Sequence, residues 1–152
     1  MSVSPSLIEM TSTSTPTVVT FVSGSEFSIR IRTHEITVDQ TLAGGGLDTA
    51  PTPIELLGAS LGSCIAFYVH RFFHTRGLPA DDIRVEVTSH SACNPNRIES
   101  FDVKLHLPAT VDPKHMPLLE RVIHSCPAHN TLVMGARMNV EYAAPLSEPA
   151  VV

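Results

Sequence analysis

The chain has 152 residues, one domain's length at roughly 100–200 residues per domain, with 43% apolar and 16% charged residues. Its net charge is −5 and it carries no Lys/Arg cluster. That excludes the basic stripe of a nucleic-acid binder and the polybasic patch of a membrane-surface protein. So thin a polar surface leans toward an oligomer that buries part of it.

Residues 1–16 are rich in Ser, Thr and Pro and read as a loose arm. They show neither the basic start nor the apolar run of a secretory signal. Residues 17–22 and 26–32 are β-branched, alternating runs around Ser23-Gly24-Ser25, a hairpin signal, and residues 36–39 add a third strand. Residues 41–50, with Gly44-Gly45-Gly46, read as a mobile loop.

A long helix is predicted from Thr52. Thr52 suits the N-cap, Pro53 the first helical position and Glu55 the third, the pattern of a capping box. Ile54, Leu57, Leu61, Ile65, Tyr68 and Phe72 follow at helical spacing, and Gly77-Leu78-Pro79 ends the element. Gly58, Ala59, Ser60, Gly62 and Ser63 make one stretch small-sided, so a second helix or a second chain is expected to pack closely there. Glu55, His70 and Arg71 interrupt the apolar run, leaving no stretch of about 18 apolar residues to span a bilayer. The expectation is a soluble cytoplasmic protein without a membrane partner.

Strands are predicted over 83–88 and 101–107, with a turn at Asn94-Pro95-Asn96. A second helix starts at Asp112-Pro113, irregular at Pro117, and runs through Ile123. Cys126-Pro127 breaks it, a helical turn covers 128–133, and a closing strand spans 138–142. Strands, long helix, strands, helix and strand in that order predict an α+β domain over 17–145, followed by a tail at 146–152.

Three cysteines, Cys64, Cys93 and Cys126, fit neither an even disulfide framework nor a Cys-x-x-Cys zinc module. Buried small hydrophobes are their ordinary role. Chemistry requires a thiolate, hence a lowered pKa or a nearby cation. Cys126 precedes Pro127 and a short helix, whose free N–H groups favour an anion. Cys64 lies mid-helix and would need an arginine from elsewhere. Arg30 and Arg32, two apart on one predicted strand, share a face, and either could serve.

Two stretches carry a resemblance to a known family. PTPIELLGASLGSCIAF, ending at Phe67, leads through small residues to Cys64; HSCPAHNTL, starting at His124, sets Cys126 before Pro at a helix break. Together they resemble the OsmC/Ohr family of thiol-dependent proteins over about residues 17–142. The resemblance implies an OsmC-like fold, with curved antiparallel sheets wrapped around central helices in an intertwined homodimer. It also implies that Cys64 attacks a small organic hydroperoxide and that Cys126 resolves the sulfenic acid to a disulfide, which a cellular dithiol reductant reopens. No bound cofactor or metal is implied.

Peroxidase-competent relatives carry a glutamate ten residues before the first cysteine, ordering the catalytic arginine. Here that position is Ile54, and Glu55 lies nine before Cys64, about 180° around the helix. Glu55 is thus better explained as the Thr52 capping partner than as an auxiliary catalytic group. An apolar pocket is expected from Ile65, Phe67, Phe72 or Phe73. Cys93, beside the turn, reads as an incidental thiol, and His70 with His74 as a solvated helix face. A Cys2His2 zinc set from Cys64, His124, Cys126 and His129 lacks a standard spacing. The alternative to a peroxidase is the same fold binding a small apolar ligand or sensing redox state.

Overall fold

The computed structural model describes residues 14–108 and 111–143; most of the N-terminal arm and the 146–152 tail lie outside them. The fold is α+β, with antiparallel sheets and helices in two compact units, residues 1–57 and 58–152.

In the first unit β1 (Val18–Ser23), β2 (Glu26–Ile31) and β3 (His34–Val38) form an antiparallel meander in that order. Gly24, at φ 54°, supplies the left-handed residue of the first turn. A bulge between Phe21 and Ser23 shifts the register there, and the Phe21 and Phe27 rings meet edge to face at 5.7 Å. The second turn corrects an expectation. β2 ends at Ile31, and Arg32 leaves the strand at φ 56°, so it does not share a strand face with Arg30.

The glycine-rich segment after β3 is not a free loop. It winds around Asp39, which is only 2% exposed. The Ser25 hydroxyl donates to this carboxylate at 2.6 Å, the Gln40 N–H at 2.7 Å and the Leu47 N–H at 3.0 Å. Thr49 donates both its N–H and its hydroxyl. Gly46 is required by the close approach, since a Cβ there would collide with the Gln40 carbonyl. Hydrogen bonds led by Ser25 hold the Asp39 carboxyl far below its usual value. A depressed folded-state pKa stabilises the fold above the unfolded pKa of about 4 and ceases to do so as pH falls through the folded value. The protection of the Leu47 and Thr49 amides, relative to their intrinsic exchange rates at each pH, should therefore fall as pH drops below about 4, and Asp39→Asn should remove that pH-dependent component.

The helix α1 (Pro53–His74) begins with the expected capping box. The Thr52 N–H donates to Glu55 Oε2 at 2.7 Å, and the Glu55 N–H returns a bond to Thr52 Oγ1 at 3.2 Å. Thr52→Ala should cost about 1 kcal/mol, readable as a lower melting temperature by circular dichroism.

The second unit holds the rest of α1, a long hairpin and two short helices. β4 (Arg84–Cys93) pairs with β5 (Asn96–His106) around a two-residue Asn94-Pro95 turn. Both strands outrun their predicted bounds. Residues 89–93 and 96–100 are mostly polar and mostly exposed, with only Ala92 and Ile98 partly buried, so they lack the alternation that burial of one face imposes, while the backbone ladder continues with a bulge at His90/Ser91.

On its Gly58 and Gly62 face the small-sided stretch of α1 is packed by this hairpin, while Ala59, Ser60 and Ser63 are exposed. Val87 and Phe101 lie over Gly58, and a Cβ at Gly62 would sit 2.9 Å from Val87 Cγ2. Leu61, Ile65, Val69, Phe72 and Phe73 form the buried core with Leu119 and Cys126. By length and composition α1 could cross a membrane; here its apolar face is the core of this unit.

After a 3-10 turn capped by Asp112, α2 (Met116–Ile123) buries Leu119, and α3 (Pro127–Met134) follows Cys126. The expected strand over 138–142 is absent among the described residues. Its alternating Met138, Val140 and Tyr142 are exposed, Tyr142 at 94%, and no neighbouring strand within the unit supplies a ladder.

Candidate functional site

Two helices deliver two sulfurs to one point. Cys64 sits mid-α1 and Cys126 occupies the N-cap of α3 in an extended conformation, φ −69° and ψ 121°. Pro127, which lacks an N–H, fits the first helical position and forces the chain to turn there. The Cys126 thiol donates to Cys64 Sγ at 2.8 Å, and both are free thiols. At that separation the two sulfurs are close to the roughly 2 Å of a disulfide bond.

The two thiols are not equivalent. Cys64 is partly exposed, whereas Cys126 is fully buried. Burial pushes the Cys126 thiol up from its ordinary value, and its hydrogen bond to Cys64 adds to that. The backbone N–H groups of His129 and Ala128 pull it down, but less strongly. This reverses the expectation from sequence. The helix N-terminus does favour an anion at Cys126, yet desolvation outweighs it. Cys126 is thus the enclosed, protonated hydrogen-bond donor of the pair, and Cys64 is the sulfur that solvent reaches.

Arg30 lies in β2, paired across the sheet with Val18 and Glu35, and Arg32 lies in the following turn. Both belong to the first unit, as does Glu55, whose carboxylate is engaged with Thr52. Ile54, at the position expected to carry glutamate, is half exposed. Within residues 58–143 no arginine hydrogen-bonds either sulfur.

Of the residues expected to build an apolar pocket, Ile65 and Phe73 are core residues and Phe67 is exposed, while Phe72, though buried, lines a cavity at the C-terminal end of α1. A mainly apolar cavity of about 250 Å³ is lined by Leu61, Phe101, Val103, Leu132 and Val133 together with the polar Glu99, Ser100 and His129. Leu61 precedes Cys64 by three residues and His129 follows Cys126 by three. The alternation of Phe101 and Val103 on one strand face was the signal for this wall.

His124 and His129 meet edge to face at 5.1 Å, and among the described residues no three His, Cys, Asp or Glu side chains are grouped to hold a metal. His70 and His74 stack one turn apart on α1. Cys93 is exposed, opposite Asn96 at the hairpin end.

The family model described as OsmC-like protein matches residues 44–141. No curated protein matches the sequence. Among solved structures, a Psychrobacter arcticus 273-4 protein named for osmotic stress induction and a detoxification response is similar at 21% identity. The match covers 80% of this chain and 90% of that one with a TM-score of 0.72. An OsmC-like protein from Mycoplasma pneumoniae is similar at 16% identity, covering 78% and 86%, with a TM-score of 0.68. An organic hydroperoxide resistance protein OsmC from Legionella pneumophila is similar at 16% identity, covering 78% and 89%, with a TM-score of 0.57. At these identities the likeness to the solved structures is one of fold.

Proposed function

The chain belongs to the OsmC-like protein family, and from that premise we propose that it is a thiol-dependent redox protein that reduces organic hydroperoxides. The observation that carries the proposal is the 2.8 Å contact between a partly exposed and a buried thiol. The hydroperoxide-resistance name of the Legionella pneumophila relative supports the substrate class.

The Cys64 thiolate attacks the terminal peroxide oxygen, the O–O bond breaks, and the alkoxide leaves as an alcohol after taking a proton from solvent. Cys64 becomes a sulfenic acid. The Cys126 sulfur then attacks the Cys64 sulfur, water departs, and the disulfide forms. A cellular dithiol reduces it through a mixed disulfide, becoming oxidised itself and regenerating both thiols. The chemistry needs no bound cofactor and suits the reducing cytoplasm. The cavity walled by Phe101 and Leu132 favours an organic peroxide over hydrogen peroxide.

The proposal includes a homodimer. β1 exposes Val18, Val19, Phe21 and Val22 on both faces, and Met138, Val140 and Tyr142 alternate without a partner strand. A second copy would cover such surface. Light scattering on the purified chain should report twice the 16.4 kDa chain mass; a monomer at micromolar concentration would remove this part of the proposal.

A second reading, an OsmC fold that binds a small apolar ligand or senses redox state, is favoured by Ile54 and by the absence of an arginine on either sulfur within residues 58–143. Consumption of cumene hydroperoxide in the presence of a small dithiol separates the two. Catalytic turnover supports the peroxidase, and none over hours leaves the second reading.

A further inference from the structure

A separate cavity of about 290 Å³ opens at the C-terminal end of α1, lined by Tyr68, Arg71, Phe72, Thr75, Arg76, Val122 and Ser125. We infer that it is an oxyanion subsite, taking the carboxylate or phosphate group of a small organic molecule beside the thiol pair. Two arginines, Arg71 and Arg76, line one small space, and neither makes an ion pair among the described residues. The chain as a whole is acidic, so a local concentration of positive charge here does not follow from its composition.

Arg76 is held in place before any ligand arrives. Its guanidinium carbon stacks 3.8 Å from the centre of the Phe72 ring, and Nη1 donates to the Phe72 carbonyl at 3.3 Å. That fixes the plane of the fork and leaves its other N–H groups to donate, an ordering that lowers the cost of binding an oxyanion. Arg71, five residues earlier, makes no hydrogen bond among the described residues. The hydroxyls divide. Thr75 and Ser125 donate to the carbonyls of Phe72 and Arg121, so their protons are used. The Tyr68 hydroxyl is the remaining donor.

The C-terminus of α1 works against an anion, being equivalent to roughly half a negative charge. Two guanidinium charges exceed it, and Arg76 already meets one of the exposed carbonyls. Guanidinium groups pair with carboxylate and phosphate in the same bidentate geometry, and Phe72 and Val122 offer apolar wall to whatever carries the anion. The subsite adjoins the thiols through the chain itself: Tyr68 is one helical turn beyond Cys64, and Ser125 immediately precedes Cys126.

Titration calorimetry at low salt, where the attraction is least screened, tests the site with two probes, inorganic phosphate and hexanoate. Saturable binding of either supports it; tighter binding of hexanoate identifies an acidic group on an organic chain, and tighter binding of phosphate a free or phosphoryl oxyanion. Arg71→Gln should weaken binding by about tenfold or more, the loss of a charged hydrogen-bond donor. Arg76→Lys keeps the charge without the fork and should fall between Arg71→Gln and wild type. Cys64→Ser should bind as wild type does, which keeps this site independent of the redox reading. No saturable binding of either probe to the wild-type chain, or undiminished affinity in Arg71→Gln, would overturn the inference.

Discussion

Treated with an excess of cumene hydroperoxide, the reduced protein should lose two thiols per chain, and Cys64→Ser should lose none from Cys126. The asymmetry of the pair dictates this result. Cys64 is the sulfur that solvent reaches, while Cys126 is enclosed and its thiol is held protonated mainly by burial. Without Cys64 the remaining thiol has neither access nor charge. Cys126→Ser should behave differently, because a serine hydroxyl can still donate to the Cys64 thiolate but cannot form a disulfide. Cys64 should then stop at the sulfenic acid, which dimedone traps as an adduct visible by mass spectrometry. Retention of both thiols in the wild type, or equal reactivity of both single variants, would remove the assignment of roles.

The largest effect on stability away from the thiols is expected at Gly62. The hairpin approaches α1 so closely that even one methyl group would lie 2.9 Å from Val87 Cγ2. Val87 is β-branched and has few rotamers with which to withdraw. Gly62→Val should therefore cost about 1–3 kcal/mol by overpacking, a melting temperature lower by roughly 3–10 °C for a chain of this size. Gly62→Ala gains close to 1 kcal/mol of helix propensity, which offsets part of the clash, so its loss should be much smaller. At Gly58 the nearest atoms to an added Cβ are 3.8 and 3.9 Å away, and Gly58→Ala should be neutral or stabilising. Equal melting temperatures for Gly62→Val and Gly58→Ala would show that the hairpin does not seat on that face.

What the sequence made legible is what local chemistry encodes. The capping box at Thr52 and Glu55, the helical spacing from Leu61 to Phe72 and the Ser23-Gly24-Ser25 hairpin each depend on residues a few positions apart. The meeting of Cys64 with Cys126, 62 residues apart, came from the family resemblance, not from spacing. What stayed hidden depends on contacts distant in sequence. The glycines of α1 announced a close neighbour, but nothing local could say that the neighbour was a strand carrying Val87. The outer half of the β4–β5 hairpin is mostly polar, with Ala92 and Ile98 too few to alternate, so it leaves no clear periodic trace. Asp39 reads as an ordinary surface acid until its five donors, four of them from residues 40–49, are assembled around it. The same limit explains residues 138–142, whose alternation encodes a strand face but not the edge it needs.

The seat of Cys126 between two helices has a consequence for damage. Held at the first residue before α3 and packed with Leu119 and Ile65, that sulfur does not have to travel to reach Cys64. Where a resolving thiol must first be uncovered by local unfolding, a second peroxide can arrive in the interval and drive the sulfenic acid to an irreversible sulfinic acid. Here the two sulfurs already lie 2.8 Å apart, so the pair should withstand peroxide concentrations that permanently inactivate proteins whose thiols must be brought together.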